Sequence, residues 1–307
     1  MSEELKTQAE IITNTENEIT KRFRALFEIR GIKTLEAINV LIEAFRAEKD
    51  SDLLKHEICY CLGQMNDNEE NTKAIEEFLE KVINEDHSSI VIHEAVEGYA
   101  NLNSDNIQTL LEKFKDADDS LVKETCDLAL DLAKWQEETK MGETEGLDLK
   151  ALKHSTNDPA PPYNTESKEE YKDVEFLKKL LLDPEQPIFE RYRAMFTLRE
   201  IATEESCEAL CMTLTEENSE NCSALLKHEI GFVLGQMGHS FSKISVPYLI
   251  KAVENEKEAG VVRHECVIAL GDITDKTEVM EKYSKDDEAI VRESCLVAQD
   301  MVNFWKE

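Results

Sequence analysis

Four short stretches of this chain place a histidine directly before a glutamate, two residue types that can bind a metal ion or transfer a proton. The stretches are His56-Glu57, His93-Glu94, His228-Glu229 and His264-Glu265. The first two histidines are 37 residues apart and the last two are 36 residues apart. The second pair follows the first at offsets of 172 and 171 residues. A repeat nested inside a larger repeat indicates duplication rather than chance.

The chemistry that suits these residues is metal binding. Two imidazoles and one carboxylate with open coordination positions form the ligand set of non-heme Fe(II) oxygenases. A buried glutamate costs free energy unless it is paired or bound to a metal ion. A single His-Glu dipeptide arises easily by chance in a glutamate-rich chain. Four copies at equivalent positions of a double duplication favour a metal site over a packing role.

Other catalytic motifs are absent from the sequence. No HExxH occurs, because the residues four positions after the histidines are Tyr60, Glu97, Phe232 and Ile268. This argues against a zincin protease. No Glu-x-x-His occurs either, which excludes the ferritin-like di-iron bundle. The three remaining histidines have no internal counterpart and are predicted to lie on the surface; they are His87, His154 and His239.

The elements that carry the four stretches are predicted to be helices. Apolar residues recur at the helical period along most of the chain, so the predicted class is all-α. Helices are predicted near residues 17–30, 34–48, 53–65, 71–83, 90–102, 106–115 and 120–135. They form hairpins spaced by about 35 to 40 residues, which is typical of an α-solenoid of HEAT type.

The chain consists of two homologous halves. The segment RFRALFEIR at 22–30 recurs as RYRAMFTLR at 191–199. The segment LLKHEICYCLGQM at 53–65 recurs as LLKHEIGFVLGQM at 225–237, identical at ten of thirteen positions. We therefore predict an N-terminal HEAT-repeat half over 1–135 and a C-terminal HEAT-repeat half over 168–307. Residues 136–167 contain three of the six prolines and are predicted to form a flexible linker.

A helical wheel of residues 53–65 separates two stripes. Apolar residues form the predicted core stripe, which consists of Leu54, Ile58, Cys61, Leu62 and Met65. His56 shares the other stripe with Gly63. A glycine follows the histidine by seven residues in three of the four copies. A mid-helix glycine costs about 1 kcal/mol against alanine, so something must approach the backbone there. Close helix packing and a cavity for a substrate explain it equally well.

Neighbouring inner helices of a solenoid stack side by side, so equivalent positions come into contact. Each half then presents two imidazoles and two carboxylates on one concave face. The two halves predict two metal sites. If the halves face each other, the two ions lie in a shared di-metal site with bridging oxygen ligands.

The composition limits the partners and the location. The formal net charge of −31 repels phosphate backbones, which argues against nucleic acid, and it suits either a solvated surface or a cationic partner. The eight cysteines contain no CxxC pair, and no signal peptide is recognisable. They are predicted to be reduced core thiols of a cytoplasmic protein. No apolar run reaches membrane-spanning length, so no membrane contact is expected.

The two HEAT-type halves, the four His-Glu motifs and the nearly repeated LLKHE…LGQM resemble the deoxyhypusine hydroxylase family over almost the whole chain. The resemblance implies a non-heme di-iron monooxygenase with two Fe(2+) ions per chain and O2 as co-substrate. The implied reaction hydroxylates the deoxyhypusine side chain of eukaryotic translation initiation factor five-A, the protein substrate, and is the last step of hypusine synthesis. We expect the enzyme to be a monomer.

The resemblance also assigns roles to residues. The implied iron ligands are His56, His93, Glu94, His228, His264 and Glu265. Glu57 and Glu229 are implied to be catalytic and to hold the cationic amines of the substrate. The implied substrate site further includes Gly63, Gln64, Gly235 and Gln236. The second motif, IVIHEAVEGYANL at 90–102, departs from the usual pattern, with Ile92 where the fourth copy has Arg263.

Two other functions remain open from the residues alone. A HEAT-type adaptor without catalysis would explain the solenoid but would leave the four motifs unused. A di-metal hydrolase could use the same ligands with zinc or manganese. Iron content and an optical spectrum test the first alternative, and metal analysis with oxygen uptake tests the second.

Overall fold

The computed structural model describes residues 1–141, 146–154 and 156–304, apart from the side chain of residue 150. Within these residues it contains sixteen α-helices, six short 3-10 helices and no strand. The predicted all-α class is confirmed. Among the helices of these three ranges, none combines the length and the apolar character needed to span a bilayer.

The chain divides into two compact units, Met1–Ala133 and Lys134–Glu307. The helices that begin in unit 1 are α1 (Glu3–Thr13), α2 (Ile19–Ile32), α3 (Leu35–Ala47), α4 (Asp52–Gly63), α5 (Glu69–Asn84), α6 (Ser89–Ala100), α7 (Ile107–Leu111) and α8 (Ser120–Lys140). The helices of unit 2 are α9 (Val174–Leu182), α10 (Ile188–Ile201), α11 (Glu204–Cys211), α12 (Ala224–Met237), α13 (Ser242–Glu254), α14 (Gly260–Ile273), α15 (Glu278–Tyr283) and α16 (Ala289–Phe304). The 3-10 helices are Glu112–Phe114, Leu149–Ala151, Glu169–Lys172, Met212–Leu214, Glu216–Asn218 and His239–Phe241.

Each unit is a two-layer stack of helical hairpins. In unit 1, α2, α4 and α6 pack side by side in one layer, and α1, α3 and α5 pack in the other. In unit 2, α10, α12, α14 and α16 form the first layer, and α9, α11, α13 and α15 form the second. This arrangement confirms the predicted α-solenoid. All four His-Glu motifs lie on second helices of hairpins, namely α4, α6, α12 and α14.

The helix predicted near residues 53–65 is confirmed as α4. Ser51 is the N-cap, and its hydroxyl accepts a hydrogen bond from the backbone N–H of Leu54 at 3.0 Å. Every residue of the predicted apolar stripe of this helix is buried. The eight cysteines are also buried, and their thiols are free.

Helix α1 is not among the predicted helices. Only Leu5 and Ile12 of its eleven residues are buried, so its apolar pattern is too sparse to signal a helix. The hydroxyl of Ser2 caps its first turn by accepting from the N–H of Leu5. Its packing against α2 and α3 therefore stabilises a segment that has a weak helical pattern of its own.

Three buried arginines tie hairpins together in the same way. Each donates from Nε to a backbone carbonyl ten residues earlier; the pairs are Arg22 to Ile12, Arg191 to Leu181 and Arg263 to Val253, at 3.0, 2.8 and 3.0 Å. Arg263 also forms an ion pair with Asp286 at 2.6 Å. Arg263 thus stabilises its hairpin. Ile92 of α6 occupies the equivalent position in the second motif, so the residue that differs there has a structural role in unit 2.

The second half of the predicted linker contacts α10. The Arg199 guanidinium pairs with Asp158 at 2.6 Å, and the N–H of Tyr163 donates to the hydroxyl of Thr197 at 2.8 Å. The guanidinium carbon of Arg193 lies 4.1 Å from the centre of the Tyr163 ring. Residues 159–163 are buried. These residues therefore pack as part of unit 2. The domain boundaries predicted from the sequence remain a prediction.

Candidate metal centres

Small residues bring the motif-bearing helices close together in each unit. A Cβ atom built on Gly63 of α4 would lie 2.8 Å from the Cα of Gly98 in α6. A Cβ on Gly235 of α12 would lie 3.3 Å from the Cα of Ala269 in α14. The glycine seven residues after the histidine therefore allows close helix packing, the first of the two explanations that the sequence left open.

Gly63→Ala is expected to destabilise unit 1 by about 1–3 kcal/mol, because the new methyl group meets backbone rather than a movable side chain. Gly31→Ala is the matched control, since nothing lies within 4 Å of its added Cβ in α2. That control should be neutral or stabilising by up to about 1 kcal/mol. Urea unfolding followed by circular dichroism measures both changes. Equal stability of the two variants would contradict the packing role.

In unit 1, one carboxylate oxygen lies between two histidines. The Nε2 of His56 is 3.1 Å from Oε2 of Glu94, and the Nε2 of His93 is 3.9 Å from the same oxygen. The ring centres of the two histidines are 5.2 Å apart. All three side chains are buried. The structure thus places His56, His93 and Glu94 together, the three residues named as one ligand set.

Unit 2 repeats this arrangement. The Nε2 atoms of His228 and His264 are each 3.7 Å from Oε2 of Glu265. The ring centres are 5.4 Å apart. The donor atoms of these three residues all lie within 4.8 Å of one another, and the residues are buried. The second glutamate of each unit, rather than the first, is the one that both Nε2 atoms face.

These two sets fit a metal ion. Donor atoms about 2.1 Å from one ion lie about 3 Å apart at right angles and about 4 Å apart when opposite. The separations of 3.1 to 3.9 Å between imidazole and carboxylate atoms fall in that range. Two imidazoles with one carboxylate suit a first-row transition metal such as iron. A bound cation would also balance the buried charges of Glu94 and Glu265.

The protonation of His56 predicts a pH dependence for metal binding. Burial alone would lower the pKa of His56, but the neighbouring negative charges of Glu94 and Glu57 outweigh it and raise that pKa to about 10. The metal-free protein therefore carries a proton on His56 at neutral pH, and a metal ion must displace it. We expect ferrous affinity to rise from pH 6 to 8, by at most about tenfold per pH unit for one displaced proton. Calorimetry in buffers of different ionisation enthalpy measures the released proton, and pH-independent binding would contradict the assignment.

The first glutamate of the first motif, Glu57, lies beside the set of unit 1. The Oε2 of Glu57 is 3.8 Å from Nδ1 of His56, the ring nitrogen that does not face Glu94. The side chain of Glu57 is 14% exposed to solvent, whereas Glu229 is buried, with 4% exposure. Their catalytic and substrate-binding roles stay predictions.

Two residues near the sets were not singled out by the sequence. Glu97 on α6 is buried, and its Oε1 lies 3.6 Å from Nδ1 of His93. Burial and the neighbouring charge of Glu94 raise the pKa of Glu97 well above its usual range. Ser294 on α16 places its hydroxyl oxygen 3.4 Å from Nδ1 of His264. The available signal for Glu97 was its position one helical turn after His93, on the same face.

The other predicted substrate residues have structural contacts. Gln236 accepts from Arg199 through Oε1 at 2.7 Å and donates to Thr156 through Nε2 at 3.2 Å. The backbone N–H of Gln64 closes the end of α4. Gly63 and Gly235 lie at the helix contacts described above. Substrate binding by these four residues stays a prediction.

Comparison with known proteins identifies relatives along almost the whole chain. No family model matches it. Deoxyhypusine hydroxylase of Danio rerio is 40% identical over 300 residues, which cover 96% of this chain and 90% of that protein. Deoxyhypusine hydroxylase of Candida albicans is 39% identical over 306 residues, with coverage of 96% and 90%. The structure of human deoxyhypusine hydroxylase in complex with glycerol has a TM-score of 0.81 and 35% identity, covering 98% of this chain and 96% of that one. The chain therefore belongs to the deoxyhypusine hydroxylase family.

Proposed function

We propose that this chain is a deoxyhypusine monooxygenase that acts on eukaryotic translation initiation factor five-A and uses two Fe(2+) ions and O2. The observation that carries the proposal is the buried His-His-Glu set that recurs in each unit of a member of this family. Unit 1 holds one ion through His56, His93 and Glu94. Unit 2 holds the other through His228, His264 and Glu265.

The proposed reaction converts a C–H bond of the substrate into C–OH. One oxygen atom of O2 enters the product and the other leaves as water, so a reductant must supply two electrons and two protons. The bound iron supplies the activation of O2 that an unactivated C–H bond requires. Three side chains of this chain hold each ion, which leaves coordination positions open. Their burial keeps bulk water away from the reacting groups.

Glu57 and Glu229 hold the substrate in this proposal. The deoxyhypusine side chain carries two amines that are protonated at neutral pH, and carboxylates are the groups that pair with them. Each of these glutamates directly follows a proposed ligand histidine in the sequence. A substrate amine held there brings its carbon chain beside the metal set of the same unit. The acidic surface of the chain adds long-range attraction for a cationic protein segment.

The test is metal analysis together with product analysis. Protein purified in air should contain two irons per chain, and with a reductant it should add one oxygen atom to the deoxyhypusine-bearing factor, as seen by mass spectrometry. Zinc or manganese with hydrolysis and no oxygen uptake would favour a hydrolase. Protein that neither binds metal nor changes the factor would favour an adaptor.

A further inference from the structure

Glu97 lies against the ring nitrogen of His93 that the proposed metal set does not use. The Nε2 of His93 faces Glu94 at 3.9 Å, while its Nδ1 faces Oε1 of Glu97 at 3.6 Å. The side chain of Glu97 is only 10% exposed. Both residues belong to α6 and are separated by one helical turn, so the helix itself fixes their approach.

The partner of that second nitrogen matters for metal binding. An imidazole that binds an ion through Nε2 keeps its proton on Nδ1, and an acceptor for this proton fixes the ring orientation. Loss of such an outer partner typically weakens metal binding about 10- to 100-fold.

In unit 2, Nδ1 of His264 lies beside a different residue. The residue one turn after His264 is Ile268, which has no acceptor. Instead, the hydroxyl of Ser294 donates to the carbonyl of Ile290 at 2.8 Å and turns its oxygen towards Nδ1 of His264 at 3.4 Å. Because the hydroxyl proton is used elsewhere, this oxygen acts as a neutral acceptor. Thr125 of unit 1 is the counterpart of Ser294 and likewise donates to the carbonyl four residues earlier, at 2.7 Å. The carboxyl group of Glu97 is therefore what distinguishes the surroundings of His93 from those of His264.

We propose that Glu97 is a positioning residue that orients His93 and strengthens the metal site of unit 1, so that the two ions of one chain are inequivalent. The inference rests on the proposed function for the identity of the ion. Glu97 supplies a carboxyl group to unit 1, whereas the equivalent residue of unit 2 is Ile268. The same logic predicts that a carboxyl group introduced at position 268 would support His264 as Glu97 supports His93.

The test is an anaerobic titration of the metal-free full-length chain with ferrous ion, followed by Mössbauer spectroscopy. Glu97→Ile copies the residue of unit 2 and should weaken one binding step about 10- to 100-fold while the total stays at two ions. Glu97→Gln, which keeps the shape and an acceptor oxygen, should weaken the same step less. Each variant should shift one iron signal and leave the other unchanged. Ile268→Glu should tighten the other step and make the two signals more alike.

Glu77→Gln is the matched control, because it removes an exposed carboxylate of the same unit from α5, a different helix from the one that carries His93. It should match the wild type. Wild-type affinities and spectra in both Glu97 variants would overturn the inference, and so would equal weakening of both steps with a normal helical signal. If Glu97→Ile fails to fold, Glu97→Gln still decides. A wild-type chain that does not bind two ferrous ions would instead contradict the proposed function itself.

Discussion

Replacing His264 by alanine is expected to remove the ion of unit 2 and to reduce hydroxylation by more than about 100-fold. His264 is fully buried and its Nε2 lies 3.7 Å from Glu265, so alanine deletes one of three donors. Losing a group that merely supports a ligand already costs about 10- to 100-fold in metal affinity, and losing the ligand should cost more. His56→Ala should have the same effect on the ion of unit 1. Iron per chain and single-turnover product formation measure both effects.

His239→Ala is the matched control for these variants. His239 is an exposed histidine of unit 2 that lies in a 3-10 helix, and its loss should leave iron content and turnover unchanged. Far-UV circular dichroism distinguishes loss of the metal from loss of the fold. Full iron retention in both His56→Ala and His264→Ala would contradict the ligand assignment.

Glu57→Ala is expected to keep both irons and to lose the substrate. Its Oε2 lies beside Nδ1 of His56 rather than between the two Nε2 atoms, so its loss weakens ferrous binding at most as the loss of Glu97 does, and all three donors stay in place at saturating ferrous ion. Removing one partner of a shielded charge pair costs about 2–5 kcal/mol, which raises the dissociation constant of the deoxyhypusine-bearing factor at least about 30-fold. Binding of that factor and iron content should be measured on the same preparation.

The control for Glu57→Ala is Glu43→Ala, which removes an exposed carboxylate of α3. It tests whether the loss comes from one fewer negative charge in unit 1. Substrate affinity should stay at the wild-type value in this control. If Glu57→Ala loses iron, Glu57 belongs to the metal set, and the division of roles between Glu57 and Glu94 is wrong.

The helices were predictable from sequence where packing and local signals agree. Helix α4 has a Ser51 cap, and its predicted apolar stripe is buried as expected. Helix α1 was not predictable because only Leu5 and Ile12 anchor it, and its stability comes from α2 and α3. The burial of Tyr163 was also hidden, because its partners Arg193 and Thr197 lie some thirty residues further along the chain.

The candidate site was predictable to the extent that it repeats. The duplication identified every His-Glu pair, and the structure gathers two histidines and the second glutamate in each unit. Glu97 has no acidic counterpart, because the equivalent position in unit 2 is Ile268, so a search for repeats misses it. Ser294 does have a hydroxyl counterpart, Thr125, but only the structure shows that Ser294 faces His264. The glycine at position 63 could not be assigned from sequence, because close packing and an open cavity both remove a side chain. Only the distance to Gly98 identifies close packing.

The most direct measurement of the central claim follows isotopically labelled O2 into the product. The iron-loaded protein, a reductant and the deoxyhypusine-bearing factor are incubated under labelled O2, and the modified side chain is weighed by mass spectrometry. A monooxygenase that uses the two His-His-Glu sets predicts one labelled oxygen atom in each hydroxylated side chain, and the His264→Ala protein should form almost none. An unlabelled oxygen atom derived from water, or product formation without O2, would contradict the account.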